Sequence, residues 1–275
     1  MEQHLGERIA AVEAELAGWG STVVAFSGGV DSGVVAALAW RALGPGVDRV
    51  LAVTAAAETL AARELDHARR LAREIGLAHE IVTYRELDDP EYVRNPAHRC
   101  YVCQGMRMDA LLGLARRRGY AAVCDGTNAS DPGPDRPGLR AIRERGVRSP
   151  LLEHGIGKDE TRAIARALGL SVWGRPANAC LSSRIPHGQL VTLGKLRRIE
   201  TAEEVLAAHG FRIVRVRHDQ GAARVEVAPD EVERLAEVWE DVAPRLRSLG
   251  FEQVSYDPRG YRRGGADLGA SSPPS

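Results

Sequence analysis

The chain has 275 residues with 37 Lys plus Arg against 37 Asp plus Glu, and aromatics make up only 5% of it. A neutral balance excludes a protein that holds nucleic acid by bulk charge, and so few rings leave little stacking surface for single strands. No apolar run approaches the roughly 18 residues of a membrane span, the charged stretch Met1 to Gly20 is no signal peptide, and four cysteines are too few for a disulfide scaffold. The expectation is a cytoplasmic protein acting on a small molecule, with neither nucleic acid nor membrane as partner.

Leu5, Ile9, Val12 and Leu16 share one helical face, and Gly18 and Gly20 end that helix. Val23-Val24-Ala25-Phe26 then reads as a buried strand, followed by Ser27-Gly28-Gly29-Val30-Asp31-Ser32 and a helix through Val34, Val35 and Leu38. Strand, glycine turn and helix make an anion site, because the new helix aims unpaired N–H groups and its positive dipole end at the turn. No lysine follows the glycines, so this is not the GxxxxGK[ST] loop. Ser27 and Ser32 supply hydroxyls, and Asp31 has the wrong sign for phosphate unless a cation lies between them. The inferred ligand is pyrophosphate with Mg²⁺.

Val50-Leu51-Ala52-Val53 is a second buried run ending at Thr54. Leu60, Leu65, Ala68, Leu71 and Ile75 mark a helix closed by Gly76, and His79-Glu80-Ile81-Val82 is a third strand. Alternating strands and helices predict a parallel sheet with right-handed crossovers, whose ligands gather beyond the strand carboxyl ends. Asp88 to Pro96 reads as a polar loop, followed by the Cys100-x-x-Cys103 pair and a helix through Met108, Leu111 and Leu114. Ala121-Ala122-Val123-Cys124 is another strand, and Asp125-Gly126-Thr127-Asn128 another turn at a strand end.

Trp173 to Gly188 has neither helical nor strand period and reads as a functional loop between domains. It carries Cys180, with Arg184 four residues on to stabilise a thiolate, the species that attacks an activated acyl group. After it, a helix at Leu193 to Leu206, strands at Phe211 to Arg217 and Arg224 to Val227, a helix from Val232 to Leu246 and a strand at Phe251 to Tyr256 predict a small α+β domain. Arg215 and Arg217 alternate, so both point to one face. Two readings are open for them: a fork for a substrate phosphate, or a solvated face paired with Glu226. The expected division is residues 1–172 for the α/β domain, 173–190 for the loop, 191–263 for the second domain and 264–275 for a frayed tail.

The SGGxDS turn after a buried strand, together with Asp125-Gly126-Thr127-Asn128, resembles the PP-loop ATP pyrophosphatases. These enzymes adenylate a substrate and release pyrophosphate. Further matches make the resemblance narrower: Asn95-Pro96 with Arg99-Cys100-Tyr101 and Cys103, Ala179-Cys180-Leu181 through Arg184-Ile185-Pro186, Val214 to Arg217 with Ala223 to Val227, and Gly260-Tyr261-Arg262. Together they are similar to the LarE family. That resemblance implies a Rossmann-like α/β fold of the adenine nucleotide alpha hydrolase type with a smaller C-terminal domain. It also implies ATP held by Ser27, Gly28, Gly29, Asp31, Ser32, Thr54, Gly126 and Asn128.

The implied substrate is a pyridinium carboxylate mononucleotide, contacted by Arg99, Arg184, Arg215, Arg217 and Glu203 or Glu204. Its carboxylate is adenylated, Cys180 forms a thioester, and C–S cleavage leaves a thioacid on the product and dehydroalanine on the protein. The product feeds the nickel-pincer cofactor of lactate racemase. Some members instead relay sulfur through a [4Fe–4S] cluster, for which Cys100, Cys103 and Cys180 are the candidate ligands here. Family members are also homo-oligomers, trimers of dimers. Other readings are an amide-forming ligase, a tRNA sulfurtransferase and a non-catalytic nucleotide-binding module.

Overall fold

The computed structural model describes residues 2–131, 136–176 and 179–262; the expected tail, 264–275, lies outside them. In chain order the elements are α1 (Glu2–Trp19), β1 (Thr22–Ala25), α2 (Val30–Leu43), β2 (Val50–Ala56), α3 (Ala62–Ile75), β3 (His79–Thr83), α4 (Pro90–Val93), α5 (Arg99–Arg118), β4 (Ala122–Cys124), α6 (Pro137–Glu144), α7 (Pro150–Glu153) and α8 (Lys158–Ala167). Then follow α9 (Leu193–Ala208), β5 (Val214–Asp219), β6 (Ala222–Val227), α10 (Val232–Glu237), α11 (Trp239–Ser248) and β7 (Gln253–Tyr256). They divide into two compact units, Met1–Glu86 with His98–Asn178, and Leu87–Ala97 with Ala179–Ser275. Among the described residues no helix is long and apolar enough to cross a membrane.

The first unit is α/β, as the alternation of runs predicts. Its sheet has the order β3-β2-β1-β4 with every pairing parallel. Side chains alternate between its faces, which accounts for two separate cores. Val24, Phe26, Val50 and Ala52 pack with α1, α2 and α8 residues such as Leu16, Val34, Leu38 and Ile164. Val23, Leu51, Val53 and Val123 pack on the other side with Met108 and Leu111 of α5 and Ile142 of α6. The chain runs outward from β1 through β2 to β3, then crosses back to place β4 on the other side of β1. The turns that follow β1 and β4 therefore flank the switch point, where open parallel sheets bind ligands.

In the second unit, β5 pairs antiparallel with β6, and β6 pairs parallel with β7. Val214, Val216, Val225 and Val227 meet Ala202 and Leu206 of α9 and Leu246 of α11 in its core. Arg215, Arg217, Arg224 and Glu226 alternate with those valines and so occupy the opposite face.

Asp88 to Pro96, read as a loop, contains α4. Asp89 caps it by accepting from Glu91 N at 2.8 Å and Tyr92 N at 3.0 Å, and Pro90 stands at its first position. One turn is too short to show a period, which is why the sequence pattern misses it. Asn95 fixes the segment within this unit: its Nδ2 donates to Pro186 O at 2.7 Å and Gln189 O at 3.0 Å. The interdomain stretch has some regular structure too, with single 3₁₀ turns at Ser171–Gly174 and Leu181–Arg184.

Candidate functional site

The candidate residues fall in two groups, one in each unit. In the first, the turn after β1 is shaped by glycine. Gly28 has φ +72°, and a Cβ there would come within 2.6 Å of the Ala68 backbone on α3. Ser27 Oγ and Ser32 Oγ lie 3.0 Å apart, and Ser27 Oγ accepts from Gly29 N at 3.3 Å, so the hydroxyls line the start of α2. Gly29 caps that helix without a side-chain hydrogen bond, leaving its amide end suited to an anion. The turn after β4 lies directly against it: a Cβ on Gly126 would meet Ser32 N at 2.5 Å. Only glycine permits that approach.

Asn128 hydrogen-bonds the Asp31 carboxylate, whose pKa is raised first by burial and next by the charge of Asp131. Lys158 and Arg162, one turn apart on α8, pull it the other way. A half-buried carboxylate near a second one suits a divalent cation, so the donor chemistry of this corner fits Mg²⁺ with Asp31 as its ligand. Asp125 has a different task. It accepts from Thr127 Oγ1 at 2.6 Å and Ser149 Oγ at 2.7 Å and so holds the turn. Thr54 is buried within β2, its hydroxyl donating to Phe26 O at 2.6 Å just past β1 and lying 2.8 Å from His79 Nε2 at the start of β3, which ties the three strands together. Sequence reasoning passed over Lys158 and Arg162, although a basic pair four apart opening a helix after Gly157 was the available signal.

Arg99 is buried at the first residue of α5. Cys100 is exposed, whereas Cys103 is buried and donates to Glu86 Oε1 at 2.8 Å. Glu86 also accepts from Tyr84 OH at 2.8 Å and from the Thr59 hydroxyl. Within each unit, no group of three or more His, Cys, Asp or Glu side chains among the described residues is placed to hold a metal. Cys100 and Cys103 belong to the first unit and Cys180 to the second. The three-thiolate set for a cluster is therefore not assembled within either unit. Burial pushes the Cys124 thiol up to about 12, so it is a core residue and not a nucleophile.

In the second unit Cys180 is half-buried at the start of a 3₁₀ turn. Its Sγ lies 3.2 Å from Ser182 Oγ, which accepts from Tyr92 OH at 2.9 Å. Ser182 and Tyr92 are fully buried. Neither stands out in sequence, since the contact between them spans 90 positions.

Arg184 is fully buried and forks to Glu203, Nε to Oε1 at 2.8 Å and Nη2 to Oε2 at 3.1 Å. Its Nη1 donates to Ala179 O at 2.7 Å, Cys180 O at 3.0 Å and Ser183 Oγ at 3.0 Å. This guanidinium thus grips the backbone around the thiol. Of the two glutamates considered on α9, Glu203 is buried in this network and Glu204 is exposed.

Arg217 donates to Glu226 Oε2 from Nε at 3.0 Å and Nη2 at 2.8 Å, and from Nη1 to Ser183 O at 3.0 Å. Arg215 lies over the Tyr261 ring, 5.1 Å from its centroid. Burial, and after it the charge of Arg184, lowers its pKa to about 10. A guanidinium under that pressure favours an anionic ligand.

The asparagine synthase family profile matches residues 9–119. The chain is 41% identical over 244 residues to an uncharacterized protein of Synechocystis, covering 88% of this chain and 90% of that one. It is 37% identical over 241 residues to the pyridinium-3,5-bisthiocarboxylic acid mononucleotide synthase of Lactiplantibacillus plantarum, covering 88% and 87%. A tRNA-specific 2-thiouridylase of Rhizobium rhizogenes is 32% identical over 191 residues, covering 54% of this chain and 47% of that one. With the glycine turns at the switch point and near full-length kinship to a synthase of this kind, the chain belongs to the LarE family of PP-loop ATP pyrophosphatases, adenylating enzymes that use ATP.

Proposed function

We propose that this chain is an ATP-dependent sulfurtransferase that adenylates a carboxylate of a pyridinium carboxylate mononucleotide and gives it the sulfur of Cys180, toward the nickel-pincer cofactor of lactate racemase. The observation that carries the reading is Cys180 itself, a half-buried thiol 3.2 Å from a hydroxyl in a unit lined with buried guanidiniums. The printed name of the Lactiplantibacillus plantarum relative supports the substrate class.

In this reading Ser27, Gly28, Gly29, Ser32, Gly126 and Asn128 shape the phosphate and nucleotide end, and Lys158 adds positive charge there. Asp31 would hold Mg²⁺, which supplies charge neutralisation for the departing pyrophosphate. Thr54 supports the strand end behind the loop. Arg215, with Arg99 and Arg217, is assigned to the anionic groups of the mononucleotide. The acyl-adenylate is an activated acyl group, and the thiolate of Cys180 displaces AMP from it. A homo-oligomer, a hexamer by family resemblance, is part of the proposal. Light scattering checks it.

The test is pyrophosphate release measured with ATP alone, with pyridinium-3,5-biscarboxylic acid mononucleotide, and with bulk tRNA. Release that depends on the mononucleotide supports the reading. Release that depends on tRNA, or on neither, rejects it.

A further inference from the structure

The geometry points to an oxyanion hole turned on the protein's own backbone: Arg184 and the Ser183 N–H stabilise charge on the carbonyl oxygen of Cys180 while the sulfur leaves. This rests on the reading of Cys180 as sulfur donor.

Once the thioester exists, sulfur must part from Cβ of Cys180. Breaking that bond by elimination requires the Cα proton of the same residue to leave first or simultaneously. A proton beside an amide carbonyl is a weak acid, and the charge it leaves behind spreads onto that carbonyl oxygen. Cys180 O accepts two hydrogen bonds, from Ser183 N at 3.0 Å and from Arg184 Nη1 at 3.0 Å. One donor is a backbone amide and the other a full positive charge. Arg184 is 0% exposed and fixed by its fork to Glu203, so the charge is in place before the reaction and needs no reorganisation. Such pre-set donors are worth most where water is excluded.

The step balances without an oxidant. A hydroxide or buffer base from solvent takes the Cα proton, and the C–H electron pair moves onto Cα and the carbonyl oxygen. It then forms the Cα=Cβ bond as the Cβ–S pair leaves on sulfur. The products are a thiocarboxylate and dehydroalanine at position 180. Arg184 acts as a catalytic residue at the oxygen that gathers charge, and Glu203 is a positioning residue acting through it.

The experiment follows intact protein mass in a single turnover with ATP and pyridinium-3,5-biscarboxylic acid mononucleotide. The proteins are the wild type, Arg184→Met and the double variant Arg184→Met with Glu203→Met. The double variant removes both buried charges, so it serves where the single one fails to fold. The wild type should pass through the thioester adduct to a species about 34 Da lighter than the starting protein, one H₂S lost by elimination. The variants should release AMP, gain the mass of the acyl group and stay there, with dehydroalanine forming about 100-fold or more slowly, the usual loss for one oxyanion donor. Sulfur release at the wild-type rate from the adduct of a variant overturns the proposal. So does a uniform fall in adenylation, thioester formation and release, because it signals a merely structural role. Wild-type protein that forms no adduct and loses no mass instead refutes the sulfur-donor reading beneath it.

Discussion

At the residue scale the thiol owes its setting to partners far along the chain. Ser182 lies 3.2 Å from Cys180 Sγ, and a thiolate cannot donate, so in the ionised pair the serine hydroxyl is the donor. Tyr92 OH, donating to Ser182 Oγ at 2.9 Å, orients that hydroxyl toward sulfur. Ser182→Ala should slow thioester formation roughly 10- to 100-fold, since hydrogen bonds to charged groups contribute about 1.5–3 kcal/mol, while pyrophosphate release stays near normal. Quenched-flow mass analysis of the adduct checks it; an unchanged rate removes Ser182 from the account.

His218 supports a pH prediction. It is buried, neither ring nitrogen has a hydrogen-bond partner among the described residues, and burial followed by the charges of Lys195 and Arg198 lowers its pKa. The folded protein therefore prefers the neutral ring. The stability it confers is complete above the unfolded value of about 6.5 and is lost as pH falls from there toward the lower folded value. Wild type should lose more melting temperature between about pH 7.5 and about pH 5.5 than His218→Phe. Equal losses contradict the assignment.

At the element scale the proposed nucleotide end depends on the glycine turns after β1 and β4, which lie against each other. Gly28→Ala puts a Cβ within 2.6 Å of the Ala68 backbone at a φ of +72°, so α3 must shift away from the turn. The expected cost is on the order of 1–3 kcal/mol of stability, with ATP binding weakened by the displaced loop. Thermal melts and an ATP titration decide it; a variant that melts and binds like wild type shows that the turn tolerates the methyl.

These turns were legible in sequence because a buried run, glycines and a new apolar helix are local signals. The sheet followed from the same alternation. α4 was not legible, being a single turn whose cap and proline look like loop. The role of Arg184 was not legible either. Read alone, a guanidinium four residues after a cysteine suggests a charge that stabilises the thiolate. Its pairing with Glu203 comes from α9, 19 positions away, and turns it toward the backbone instead.

At the scale of the whole molecule, the residues proposed for activation and the proposed sulfur donor belong to different units, so on this proposal the two steps should separate by mutation. Asp31→Asn should keep the fold and lose mononucleotide-dependent pyrophosphate release, because this carboxylate faces Asp131 and Asn128 at the loop and takes no part in either core of its unit. Arg215→Ala should weaken mononucleotide binding by roughly 1.5–3 kcal/mol and leave ATP binding unchanged, as measured by parallel titrations. ATP lost with mononucleotide kept would reverse the assignment of the two units.

The most direct measurement is the mass of the intact wild-type protein before and after reaction with ATP and the mononucleotide, with peptide mapping across Ala179-Cys180-Leu181. The account predicts one turnover per chain, a loss of about one H₂S, roughly 34 Da by elimination, and dehydroalanine at position 180. Many turnovers at unchanged mass, abolished when Cys100 or Cys103 is replaced, would contradict it and assign the sulfur to a relay through those thiols.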